Sequence, residues 1–69
     1  MTALAVVRKQ KLMTQRELAT AAGVTIATVS YAESGKMRPK ILTIRKICAV
    51  LGVQPEDVDE FRRALDLPD

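Results

Sequence analysis

TQRELATAAGVTIATVSYAESGK, residues 14–36, decides how this chain folds. Thr14 is followed three positions later by Glu17, the spacing of a capping box. In that arrangement the hydroxyl accepts from the third helical amide and the carboxylate accepts from the cap amide. Met13 and Leu18 stand at the two positions of a hydrophobic staple. The helical stretch that starts there ends near Ala22, before Gly23, a residue suited to the left-handed backbone that closes a helix. Thr25 then opens a second stretch, with Val24 and Val29 at the staple positions. Its third residue is Thr28 rather than Glu, so this second box is incomplete. The stretch ends around Ser34-Gly35.

Working outward, a first helix is expected over about 3–11, with Leu4 and Val7 inward and Lys9 and Lys11 in water. A fourth is expected over about 40–51, with Ile41, Ile44, Ile47, Cys48 and Leu51 on one stripe. A fifth should open with Pro55 at its first position and Glu56 and Asp57 in its first turn, where the helix dipole favours acids. Its apolar face would be Val58, Phe61 and Leu65. Strand signals are weak, and no repeat or linker is visible. The expectation is one all-α domain of five helices over residues 1–69. At this length only about 60% of the unfolded surface can be buried, so the core is thin.

Composition removes whole classes of function. The chain has no histidine and one cysteine, Cys48, so the usual metal ligand, the usual general base and an internal disulfide are all missing. With no phosphate loop and little room for a pocket, an enzyme is not expected, nor a metal or cofactor. Cys48 reads as a core thiol, not a redox switch. The acids Glu56, Asp57, Asp59 and Glu60 lack the pattern of a calcium loop and read as dipole compensation. No apolar run approaches the ~20 residues of a membrane span. The stretch from Ala3 to Val7 has no basic segment before it, unlike a signal peptide. A cytoplasmic protein is expected. Charge is divided unevenly. Residues 1–54 hold nine basic side chains against Glu17 and Glu33, whereas residues 55–69 hold Arg62 and Arg63 against six acids. A basic body with an acidic end suits a surface for a polyanion, or ordinary solvated faces.

Two short helices joined by Gly23-Val24-Thr25 form the helix-turn-helix pattern, over about 14–34. The second helix of such a pair fits a DNA major groove and presents its first residues to base edges. At about 100° per residue, Val29 and Ala32 fall on the core side. Ala27 and Tyr31 lie opposite, flanked by Ser30 and Ile26, with Thr28 at the edge. An outward Ile26 would meet thymine methyl groups, as would the methyls of Ala27 and Thr28. The other reading of Ile26 is partial burial against helix 1 or 2.

The same stretch resembles the core of the phage-repressor, or Xre-type, helix-turn-helix family. The likeness extends through helix 4 and Gly52-Val53-Gln54-Pro55-Glu56-Asp57-Val58, covering about residues 3–58. It implies a compact lambda repressor-like fold. It also implies DNA-binding roles for Gln15, Ile26, Ala27, Thr28, Tyr31 and Lys36, with Arg38 as a neighbour of Lys36 and Gln15 at a phosphate and supporting helix 3; the cap Thr25 and the flanking Ser30 complete the expected DNA-binding set. Arg8 and Glu33 match a helix 1–helix 3 ion pair, which would also place a guanidinium near a phosphate. The chain departs from the family at Ile26 and Ala27, where many members carry Gln, Arg or Ser. Specificity is therefore expected from methyl contacts, Tyr31 and DNA shape.

The function expected is a sequence-specific, double-stranded-DNA-binding regulator of transcription, a repressor in the first instance. An antitoxin-like module that binds a protein partner through its acidic end is the alternative. Leu42, Val50, Phe61, Leu65 and Leu67 offer more apolar surface than a small core hides. A homodimer through helix 5, at Phe61 and Leu65, with help from the end of helix 4, is expected, with the opposing possibility that both residues close the monomer core.

Overall fold

The computed structural model describes residues 2–67. Its middle is built by local hydrogen bonds. The Glu17 amide donates to Thr14 Oγ1 at 3.0 Å and the Thr14 amide donates to Glu17 Oε1 at 2.8 Å. This reciprocal cap starts α2, Gln15–Ala22. Gly23 ends it at φ 71°, and the chain turns at once into α3, Ile26–Ser34. Thr25 caps α3 by accepting from the Thr28 amide at 3.1 Å.

The hydrogen bonds from Thr14, the backbone one foremost, hold the Glu17 carboxyl below its ordinary value of 4.5. A lowered carboxyl stabilises the fold above its unfolded-state pKa, and that contribution disappears as pH falls through the lowered value. Glu17→Gln keeps the capping geometry without the titration. Its stability curve on the acid side of pH 4.5 should be shallower than the parent's, as measured by urea unfolding across pH.

Around this pair pack α1, Leu4–Gln10, and α4, Ile41–Leu51. α2 sits between α3 and α4, and α1 lies against α3. The fully buried side chains are Leu4, Leu18, Val29, Ile44, Ile47, Leu51, Val58 and Phe61, one or more from every helix. Cys48 is also buried. Burial pushes its thiol pKa up, and the Asp57 carboxylate adds to the effect, so it is a poor nucleophile. α1 leaves through Leu12, a non-glycine residue at φ 58° that stands almost fully in solvent.

The C-terminal part departs from the sequence expectation. Pro55–Asp57 form a separate 3-10 turn, and α5 spans only Asp59–Ala64. Between them Val58 is extended and makes an isolated parallel bridge with Thr2. The Thr2 amide donates to the Asp57 carbonyl at 3.1 Å, and the Asp59 amide donates to the Thr2 carbonyl at 3.0 Å. Glu60 then accepts from the Leu4 amide at 2.8 Å, serving an orphan donor at the start of α1. A helix running on from Pro55 would not place its backbone for that pairing. Phe61 follows directly after Glu60 and points inward.

Phe61 is 0% exposed, so it belongs to the monomer core and not to a dimer interface. Leu65 is half-buried and packs against that core. Ile41 is the other correction: it was expected on the buried stripe of α4 but is 66% exposed, as the first residue of the helix. Among the described residues no helix is long and apolar enough to cross a membrane.

Candidate nucleic-acid interface

α3 offers solvent a face made largely of carbon. Ile26 is 38% exposed and Tyr31 40%, with Ala27 exposed between them. Ile26 therefore divides itself: part of its side chain packs, and more than a third stays free. Thr28 is half-buried, and its hydroxyl lies 2.8 Å from that of Thr25. That bond uses hydrogen-bonding capacity of both threonines, which favours the methyl of Thr28 as its contact group. Ser30 is half-buried on the flank.

The far end of α3 is fastened by Glu33. Arg8 Nε donates to Glu33 Oε2 at 2.6 Å, and Arg8 Nη2 donates to Oε1 at 3.2 Å. The third guanidinium nitrogen, Nη1, donates to the Met13 carbonyl at 2.8 Å. Gln15 Nε2 completes the set, donating to Glu33 Oε1 at 2.9 Å. One carboxylate thus ties α1, the entry to α2 and the end of α3 together. The two ionic side chains keep only 10% and 8% of their surface, and no buried polar side-chain atom lacks a partner among the described residues. Low dielectric makes such a satisfied network rigid.

This geometry corrects one expectation. All three guanidinium nitrogens of Arg8 are engaged inside the protein, so Arg8 is a structural residue and does not offer itself to a phosphate. Gln15 is half-buried, and its amide nitrogen points at Glu33. Its support of α3 is direct.

Past α3 the chain is held close to the helix before it leaves. The Lys36 amide donates to the Tyr31 carbonyl at 3.2 Å, and the Ser34 hydroxyl donates to the same carbonyl at 3.3 Å. Lys36, Arg38 and Lys40 then follow, all exposed. A shallow cleft of about 230 Å³ runs between α3 and the start of α4, lined by Thr28, Ala32, Met37, Pro39, Lys40 and Thr43. Lys40 thereby stands across the cleft from the Thr28 and Ala32 edge of α3. Sequence reading passed over it, although a third cation at an even spacing after Lys36 and Arg38 was the available signal.

Residues 4–58 match a family model described as helix-turn-helix. The chain belongs to the lambda repressor-like helix-turn-helix family. No curated protein matches it. The match runs from the start of α1 through the two central helices to Val58 and stops short of Glu60. The five-helix arrangement agrees with that family's all-α fold. As a lambda repressor-like domain, the chain is a DNA-binding helix-turn-helix module, with α2 and α3 as its two central helices. The structure gathers Ile26, Ala27, Thr28 and Tyr31 on or beside one outer face of α3, with Thr25 as its cap. Lys36 and Arg38 lie on the segment that follows, and Gln15 and Arg8 stand behind the helix as its fixings.

Proposed function

We propose that this chain is a sequence-specific transcriptional repressor of the cytoplasm that docks α3 in the major groove of double-stranded DNA and pairs as a homodimer on a two-fold site. The observation that carries the reading is the combination on α3 of a free outer face with a locked end. Ile26, Ala27 and Tyr31 are exposed, while Glu33 is held by Arg8 and Gln15. A helix that reads bases must keep its face bare and its position fixed.

The chemistry of the face sets the kind of readout. Apolar groups meet the C5-methyl of thymine, and Tyr31 brings the polar group best placed to reach a base edge or phosphate. Lys36, Arg38 and Lys40 supply cations to the sugar-phosphate backbone, which gives affinity and register without sequence information. One monomer reads few base pairs, which is why proteins of this architecture pair on palindromic operators.

Selection of bound duplexes from a random pool tests the reading. Enrichment of a two-fold motif with thymines at fixed positions in each half is expected, and an unenriched pool would defeat it. Binding titrations then separate the roles. Tyr31→Ala should flatten the preference among sites. Lys36→Ala should weaken all sites alike and reduce the slope of log K against log salt by about 0.9. The reverse pattern would exchange the two assignments.

A further inference from the structure

α4 carries an apolar surface that neither the core nor the DNA-facing side uses. Ile41 is 66% exposed and Leu42 54%, and Ala49, about two turns further on, is also exposed. Beside them opens a cleft of about 590 Å³, larger than the one next to α3. Ile41, Ile44, Cys48, Val53, Pro55 and Leu65 give it apolar walls. Exposed apolar surface of this kind, rimmed by charge, marks a place where another molecule sits.

The rim says which molecule. On the α4 side stand Arg45 and Lys46, both exposed. The opposite wall includes Gln54 and Pro55, and Glu56 and Asp57, both exposed, follow directly after it in the chain. Asp57 is fixed there by accepting from the Gln54 amide at 3.2 Å, and its charge is felt by the Cys48 thiol at the cleft. Arg8–Glu33 is the only salt bridge among the described residues, so neither rim is neutralised by the other within one molecule. A strip with a basic edge and an acidic edge is complementary to itself. Turned by a two-fold rotation about an axis through the strip, each basic edge faces the acidic edge of the other copy. An isologous interface needs that property.

We infer that the α4 face, comprising Ile41, Leu42, Ala49 and the cleft beside them, is the surface on which two copies of this chain pair. The inference rests on the reading of the chain as a paired DNA binder and supplies the contact that the burial of Phe61 removed from α5. Ile41 fills the partner's cleft, and Arg45 meets the partner's Glu56. A standard interface takes about 800 Å² from each partner, roughly a fifth of the 4420 Å² of this molecule.

Sedimentation of the full chain decides the matter, with duplex binding at low salt as a parallel readout. The parent should sediment as a dimer. Ile41→Glu should weaken pairing by roughly tenfold or more, the size of a truncated hot spot, while keeping the parent's circular dichroism. Arg45→Glu and Glu56→Lys should each weaken the dimer, and the double variant carrying both should regain it, because the swapped edges again complement each other. A misfolding effect would not be rescued in this way. A parent that is monomeric but binds duplex overturns the inference and leaves the DNA reading standing. A dimer abolished by Ile41→Glu in a chain that binds no duplex supports the pairing face and removes the DNA reading. A parent that stays single until a different protein is added, or an Ile41→Glu variant that remains fully dimeric, also overturns the inference.

Discussion

Arg8→Ala should unfold most of the population. Removing one member of a buried, hydrogen-bonded ion pair leaves the other charge without compensation, which costs about 3–5 kcal/mol. Domains of this size are stable by only about 0.05–0.15 kcal/mol per residue, so the loss is comparable with the whole margin. Here the effect is compounded. Glu33 would lose both contacts from the guanidinium and keep only Gln15, and the Met13 carbonyl at the entry to α2 would lose its donor. Urea unfolding followed by circular dichroism measures it. A paired replacement, Arg8→Met with Glu33→Leu, removes both charges together and should recover much of the stability. If the double variant is no more stable than Arg8→Ala, an orphaned charge is not the cause. Gln15→Ala, which deletes one neutral donor at a half-buried site, should cost only about 1 kcal/mol.

The second large effect is expected at Phe61. Phe61→Ala leaves a void where a fully buried ring packed, and large-to-small changes of this kind cost about 3–5 kcal/mol. The unfolding midpoint should fall steeply. A residue at a subunit contact would behave otherwise: its truncation would change the sedimenting mass and leave the single subunit folded. Loss of fold in Phe61→Ala, set beside loss of pairing without loss of fold in Ile41→Glu, separates core from contact surface in one comparison. A Phe61→Ala variant as stable as the parent would contradict its place in the core.

What could be read from the amino acids alone follows the range of the interactions involved. Thr14, Glu17, Gly23 and Thr25 act on backbone groups within four residues, so the central helices and their turn were legible from spacing. Arg8 and Glu33 lie 25 residues apart, and their pairing was suggested only by family likeness. The bond from Gln15 to that same carboxylate was not anticipated, because nothing in a linear pattern says which of several polar side chains will reach one acceptor. Phe61 was misplaced for a related reason. An apolar helix face does not say whether it meets its own core or a second copy, and the pairing of Val58 with Thr2 that anchors this segment joins opposite ends of the chain. Ile41 points within about 20° of the buried Cys48 but is the first residue of α4, where it is left 66% exposed, and a periodic pattern does not show where the cover over a helix ends. On α3, the free face of Ala27 and Tyr31 was visible from periodicity, whereas the bond between the Thr25 and Thr28 hydroxyls was not.

The carboxylate of Glu60 that accepts from the Leu4 amide spans 56 positions of sequence. The start of α1 is therefore secured by the far end of the domain, not by its own neighbours: without the segment from Asp57 to Glu60, the Leu4 amide and the Thr2 backbone lose their partners. The caps of α2 and α3 involve no residue of that segment, so a break at this end loosens the first helix and leaves the two central ones capped.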